Sequence, residues 1–359
     1  MFKKKNLQVS VCIPVYNAEK YLLRCLESVK NQDFPGTEII LVNDCSNGTD
    51  ENGNDFFQIV KKFRKSCKIP VKIVTHAKNK GLLEARRSAV YEASSKYITF
   101  LDSDDFFPKD ALKNLFVAAE ESGADIVQGR VEIIPENVFS EEERKRLQKI
   151  DTIRNKICFS PLKDEEIIFS FMNIKKDGIE NHSGFVTGKL FTREICAKAF
   201  FYLPVVFCTL GEDFVLYTMF TYFAKKYKGI SCSVYNYSCD TGVTSKKIID
   251  TLEKWEKVCS ASSAFTSLFD LIQNEPEIKM PSECVEAIKF QCRRILQNNI
   301  SQMHTSVPES LIPEARNMLC DYWGSDFVAE IEKDYYSCAS VTDSSVTEDS
   351  VTKNSSDAE

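Results

Sequence analysis

Three carboxylates, Asp102, Asp104 and Asp105, stand directly after the run Tyr97-Ile98-Thr99-Phe100-Leu101, and Pro108 closes the segment. The run is apolar, aromatic and β-branched, which predicts a buried strand. Carboxylates crowded where such a strand emerges repel one another and resist desolvation. A divalent cation relieves both problems. Carboxylate oxygens suit Mg²⁺ or Mn²⁺, which keep coordination positions open for substrate phosphates. The spacing therefore points to metal-assisted chemistry on a phosphorylated substrate. A solvated turn that caps the following helix is the competing reading, and this segment by itself does not separate the two.

A scaffold must hold these groups. With 359 residues the chain can bury a large core and contain one to three domains. Hydrophobic residues at 43% and charged residues at 27% place it with soluble globular chains. A net charge of −6, with no basic patch interleaved with aromatics, argues against a nucleic-acid partner. Met1-Phe2-Lys3-Lys4-Lys5 resembles the start of a signal peptide. The short apolar run behind it meets Pro14, Asn17 and Glu19 instead of a small-residue cleavage site. The longest uncharged run, 199–211, is too short to span a bilayer. The expectation is a cytoplasmic protein, with peripheral association at the inner membrane face left open. The 14 cysteines include no CxxC pair, and the 3 histidines lie far apart, so no zinc spacing appears. Cys12, Cys25, Cys196 and Cys292 sit among apolar residues and are expected as buried free thiols.

In chain order, residues 9–15 read as a strand, with Asn17 as N-cap of a helix over 20–30. Residues 38–43 form a second strand that ends in Asp44. A helix through Phe56, Phe57, Val60 and Phe63 leads to a strand over 71–74. Asn79-Lys80-Gly81 opens another helix, and the strand at Tyr97 follows it. This β-α-β-α-β-α-β series with short connections predicts an α/β fold, a mostly parallel sheet with helices on both faces. Ligands of such sheets lie beyond the carboxyl ends of the strands. Residues 14–17, Asp44, the turn before Gly81 and residues 102–105 all fall at those ends.

Pro108 is expected near N1 of a helix over 108–121, followed by a strand over 125–134. The charge run 141–146 reads as an exposed helix or loop. Residues 160–200 mix helix and strand signals, and a strand is expected over 229–237. Helical patterns then run over 249–273, 283–303 and 309–336. Residues 337–359 repeat Ser-Val-Thr and carry five acids against one lysine, which predicts a disordered tail. The expected organisation is a donor half over 1–135, an acceptor half over 136–246, a C-terminal helical subdomain over 247–336 and the tail over 337–359.

The motif series resembles the family-2 glycosyltransferases of GT-A fold. Val11-Cys12-Ile13-Pro14-Val15-Tyr16-Asn17 carries the likeness first, then residues 38–44 with Ser46. Asn79-Lys80-Gly81-Leu82 with Ala85-Arg86 follows, and then Phe100-Leu101-Asp102-Ser103-Asp104-Asp105. Gly188-Lys189-Leu190-Phe191 and Gly211-Glu212-Asp213 look like the later motifs. The resemblance implies a nucleotide-sugar donor, most simply a UDP-sugar, a glycan or lipid-linked acceptor, a divalent metal (Mn²⁺ or Mg²⁺) and inversion at the anomeric carbon. By position it assigns Pro14, Tyr16, Asn17 and Asp44 to the base and ribose, and turns Arg86 toward the diphosphate. It assigns Asp102, Ser103 and Asp104 to the donor, with Asp104 and Asp102 as metal ligands. Asp213 becomes the general base, because a single displacement needs one carboxylate to take the acceptor hydroxyl's proton. Glu212 and Lys189 become acceptor contacts, although Lys189 also fits a surface lysine beside a strand. His182 lies in the acceptor half, where a lone histidine is more often structural. The sequence departs from the family at Cys45 and Gly188, where Gly and Asn are usual, and at Arg87, where Asn is usual.

Rival readings are weaker. A phosphatase with an Asp-x-Asp nucleophile pair would want Thr or Val soon after the second Asp, and a pyrophosphorylase would want glycines in 14–17. A non-catalytic donor-binding or scaffold protein with a degenerate site is the main alternative, and the presence of Asp102, Asp104 and Asp213 counts against it.

Overall fold

In the computed structural model, which describes residues 7–135, 140–239 and 249–344, every residue of β1 (Val9–Val15) is buried. Val9, Val11, Ile13 and Val15 enter one apolar core and Cys12 enters another. That alternation is what a strand covered on both faces requires. β2 (Thr37–Asn43) pairs parallel to one side of β1, and β3 (Val71–Thr75) pairs parallel beyond it. β4 (Tyr97–Phe100) pairs parallel to the other side. With β5 (Ile126–Pro135), β6 (Leu162–Lys163), β7 (Lys189–Thr192) and β8 (Lys226–Cys239), an eight-stranded sheet forms in the order β3-β2-β1-β4-β7-β5-β8-β6. β7 is antiparallel to both β4 and β5, and β6 is antiparallel to β8, so the sheet is mostly parallel as expected.

One face is covered by α1 (Glu19–Lys30) and α2 (Phe56–Ser66), and the other by α3 (Leu82–Glu92). α4 (Ala111–Ser122) joins the first layer through Leu112 and Leu115. α5 (Glu141–Arg154) contains the charge run and buries no residue. α6 (Glu165–Met172), α7 (Arg193–Tyr202) and α8 (Glu212–Phe223) extend the layer begun by α3. α9 (Leu252–Cys259), α10 (Ala261–Asn274), α11 (Ser282–Ser306), α12 (Ile312–Trp323) and α13 (Ser325–Ser344) follow. Trp255, Leu296, Ile300, Leu319 and Val328 build a separate core among them. Phe265, Leu268 and Ile288 nevertheless belong to the core under α8, so the C-terminal helices also brace the sheet.

Several expectations are corrected. Asn17 does not cap α1. Ala18 takes that place, while Asn17 is left-handed with φ 52° and its Oδ1 accepts from the Asn47 amide at 3.0 Å. Pro108 lies outside α4, whose first residue is Ala111, and its carbonyl accepts from Gln32 Nε2 at 2.8 Å. The pattern over 249–273 breaks at Ser260 and the pattern over 309–336 breaks at Gly324, a left-handed residue with φ +84°. α13 continues to Ser344, so it takes in the first part of the segment expected as a tail. A helix anchored by buried Val328 and Ile331 propagates at low cost per added residue. Residues 345–359 and the start of the chain, 1–6, lie outside the described residues, as do 136–139 and 240–248, where the first two of the three expected domain boundaries fall. Cys12, Cys25, Cys196 and Cys292 are buried and free. Among the described residues no helix is long and apolar enough to cross a membrane.

Candidate active site

The carboxyl ends of β1, β2 and β4 open into a cleft of about 960 Å³. Pro14, Tyr16 and Asn17 line it from β1, Asp44 from β2, and Asp102, Ser103 and Asp104 from β4. Arg86 reaches it from α3, and Glu212 and Asp213 from the first turn of α8. Lys189 does not line it. The expectation of a surface lysine is also wrong, because its side chain is fully buried. Its ammonium donates to Ser183 Oγ at 3.1 Å and to the Phe185 carbonyl, behind the wall formed by those residues. Burial pushes its pKa down to about 7.

Arg86 organises the centre. Its guanidinium is buried and donates to Asp213 Oδ1 at 2.6 Å, to Glu212 Oε1 at 3.2 Å and to Asp102 Oδ1 at 3.2 Å. It is thus held by three carboxylates and not turned freely toward a diphosphate. Burial opposes its charge, but Asp213, Asp102 and Glu212 outweigh that and raise its proton affinity. Glu212 moves the other way: burial and the adjacent Asp213 push its carboxyl up to about 8, against the pull of Arg86. Asp102 and Asp213 keep 29% and 26% of their side chains exposed, so the two outer carboxylates remain reachable from the cleft.

The turn that carries Asp102 and Asp104 is clamped from behind. Asp105 is buried, and its Oδ2 accepts from the Tyr235 hydroxyl at 2.6 Å while Oδ1 accepts from the Ser238 amide at 2.7 Å. The same Tyr235 oxygen accepts from the Asp102 amide at 3.2 Å. Arg24 Nη2 donates to the Asp104 carbonyl at 2.6 Å and to Ser238 Oγ at 2.8 Å. Burial, then Asp104 and Asp102, raise the Asp105 carboxyl well above the usual range. Tyr235→Phe is expected to cost about 1–3 kcal/mol of stability, because it leaves buried Asp105 one donor short. Denaturant unfolding checks this, and a change below about 0.5 kcal/mol would mean that Tyr235 acts by packing alone.

Asp44 is engaged within the protein. Lys80 and Gly81 amides donate to its two oxygens at 2.9 and 3.0 Å, and His76 Nδ1 lies 2.6 Å from Oδ1. The carboxylate therefore fixes the turn that starts α3, the helix bearing Arg86. The departures at Gly188 and Arg87 have physical reasons, whereas nothing in the structure explains Cys45, whose backbone conformation favours the usual glycine. Cys45 has φ +64° and Gly188 has φ +72°, a region that glycine and asparagine enter most easily. A Cβ on Gly188 would lie 2.8 Å from Val131 Cγ2, which excludes a side chain there unless Val131 shifts. Arg87 is buried; it pairs with Glu84 at 3.0 Å and donates to the carbonyls of Phe200 and Pro204, tying α3 to the end of α7.

His182 is buried, with Nδ1 2.7 Å from Ser170 Oγ and its ring 4.4 Å from that of Tyr227. Burial, and then Lys189, hold its pKa well below the usual value. Sequence reasoning found neither the clamp residues Arg24, Tyr235 and Ser238 nor the C-terminal part of the wall. Lys257 places its ammonium 5.2 Å from the Tyr16 ring, and Ala287, Phe290, Gln291 and Arg294 of α11 complete the cleft. Phe290 did carry a signal, since it is a large apolar residue on the polar side of an amphipathic pattern.

The model of the glycosyl transferase family 2 matches residues 10–200, more than half of the chain. The chain belongs to this family. Among its relatives, the poly(ribitol-phosphate) β-N-acetylglucosaminyltransferase TarS of Staphylococcus aureus is 34% identical over 145 residues, 38% of this chain and 24% of TarS. The glycosyltransferase GlyG of Streptococcus pneumoniae is 27% identical over 228 residues, 58% of this chain and 70% of GlyG. This family-2 chain thus spans about a quarter of the length of TarS. A crystal structure of S. aureus TarS 1-349 in complex with UDP-GlcNAc superposes with a TM-score of 0.53 at 18% identity, covering 92% of each chain. That likeness shows a shared fold.

Proposed function

We propose that this family-2 chain transfers a sugar from a nucleotide-sugar donor to a hydroxyl group of a glycan or lipid-linked acceptor, with inversion. The observation that carries the reading is the Arg86 bridge. One guanidinium joins Asp102, on the donor turn, to Asp213, at the start of α8. The donor's leaving group and the acceptor's hydroxyl therefore meet between two carboxylates of fixed separation. Asp213 takes the proton from the acceptor hydroxyl. The new bond forms between that oxygen and the anomeric carbon, while the bond from this carbon to the diphosphate oxygen breaks. A nucleoside diphosphate leaves. In this reading Pro14, Tyr16, Asn17 and Asp44, which line the cleft at the ends of β1 and β2, take the base and ribose.

Asp102 and Asp104 are two hard oxygen ligands one residue apart, and among the described residues no third side chain of metal-binding type joins them. That set fits Mn²⁺ or Mg²⁺, which take one or two carboxylates and complete their shell with substrate phosphates and water. When bound, the ion neutralises charge growing on the leaving diphosphate. TarS, whose fold this chain shares, is seen with UDP-GlcNAc, which supports a UDP-sugar here. Relatives named for acting on poly(ribitol-phosphate) support a role in glycopolymer synthesis.

Calorimetric titration of UDP with and without Mn²⁺ tests the proposal. Wild type is expected to bind UDP in a metal-dependent manner, and Asp104→Ala to lose that dependence. Metal-dependent binding at full strength in Asp104→Ala would remove the ligand assignment. If UDP does not bind wild type, the UDP assignment fails, and GDP and dTDP then decide whether any nucleotide donor remains.

A further inference from the structure

α11 lies beyond the residues matched by the family model, yet Ala287, Phe290, Gln291 and Arg294 reach the cleft. Their spacing places them on one face of the helix. Ile288, Cys292 and Leu296, on another face, are buried in the cores and fix the orientation of α11. Phe290 is 64% exposed on the cleft wall. An unburied aromatic ring there forgoes most of its own hydrophobic stabilisation and presents a flat apolar surface to whatever enters. Arg294, one turn further on, is exposed and has no carboxylate partner among the described residues.

α5 and the segment after it contribute matching chemistry. Ile153 lines the cleft at 42% exposure. The Arg154 guanidinium lies 3.6 Å from the Tyr237 ring and 4.2 Å from the Phe185 ring, and donates to Thr187 Oγ1 at 3.3 Å. It too has no carboxylate partner among the described residues. The carboxylates of the cleft all come from the strand ends and the first turn of α8, whereas α5 and α11 bring only apolar groups, an amide and cations.

We propose that the α11 face is an acceptor subsite. Phe290 stacks on the C–H face of an acceptor sugar ring, and Arg294, with Arg154, holds an oxyanion carried by the acceptor chain. Planar guanidinium groups suit this, since they bind phosphate or carboxylate through paired hydrogen bonds. The proposal rests on the glycosyl-transfer reading and names the class of acceptor, an anionic saccharide or polyol chain.

The test is calorimetry on the full chain preloaded with UDP and Mn²⁺, so that the donor side is filled. Three probes are titrated: an abasic phosphodiester oligomer, a hyaluronan oligosaccharide carrying carboxylates, and a neutral chitin oligosaccharide. Wild type is expected to prefer an anionic probe, and which of the two it prefers separates phosphate from carboxylate. Arg294→Gln is expected to weaken that probe about tenfold and to reduce the salt dependence of binding. Phe290→Ala is expected to weaken saccharide binding about fivefold. Phe201→Ala, at another exposed phenylalanine outside the cleft, should change nothing. Both α11 variants should bind UDP like wild type. Equal probe binding by wild type and the α11 variants overturns the subsite, and so does a wild type that binds UDP but none of the probes. If wild type fails to bind UDP, the donor reading fails, and the same titrations without UDP still decide the α11 face.

Discussion

Asp213→Asn is expected to lower kcat about 10²–10⁴-fold while leaving UDP affinity near that of wild type. Asparagine keeps the shape of the side chain and can still accept from Arg86, which donates to Asp213 Oδ1 at 2.6 Å. It cannot take a proton from the acceptor hydroxyl. The two halves of the prediction separate catalysis from binding. Single-turnover transfer with the donor substrate and calorimetry with UDP measure them. A normal kcat would remove Asp213 as the base. A parallel loss of UDP affinity would instead assign it to organising the donor turn through Arg86.

Arg86→Gln is expected to destabilise the protein by about 3–5 kcal/mol near neutral pH, with the partial exposure of Asp102 and Asp213 favouring the lower end. Arg86 is 1% exposed, and its removal leaves three carboxylates without their shared cation. The effect should depend on pH, and its sign follows from Glu212. The folded-state pKa of that residue, about 8, already lies above the ordinary carboxyl range, and loss of Arg86, whose charge lowers it, raises it further. A carboxyl with a raised folded pKa costs stability where it must ionise, and that cost fades as pH falls through the folded pKa toward the unfolded one. The deficit of the variant should therefore be larger at pH 8 than at pH 5. Thermal unfolding at the two values measures it. A deficit independent of pH would mean that Arg86 contributes by packing and not by charge.

The two substitutions address one design. Asp102 belongs to the turn after β4 and Asp213 to the first turn of α8, far apart in sequence, and Arg86 from α3 bonds both. A site assembled in this way makes the position of Asp213 depend on the state of the turn after β4. The C-terminal helices take part as well. Phe265 of α10 stacks 5.6 Å from Phe214, next to Asp213, and Ser260 Oγ accepts from the Thr209 amide at 3.2 Å just before α8. Helices that add nothing to the sequence resemblance therefore support the residue expected to act as base.

Much of this was legible in the sequence. β1 to β4 are short apolar or alternating runs that end in polar residues, and a parallel sheet must place such ends on one edge. Tyr16, Asp44 and Asp102 could therefore be assigned to one cleft before any tertiary contact was known, whereas Arg86 and Asp213, both on helices, were assigned to it by the family resemblance alone. Local pattern also identified α5 as exposed and the four chosen cysteines as buried. What it could not supply is anything that depends on pairing between distant segments. The direction of β7 is set by its neighbours β4 and β5, and four residues of Lys189–Thr192 carry no sign of it. The burial of Lys189, the clamp of Asp105 by Tyr235 and Ser238, and the approach of α11 to the cleft are likewise decided by packing. A side chain's hydrogen-bond partner is chosen by where the chain returns, and sequence spacing fixes only the face on which that side chain begins.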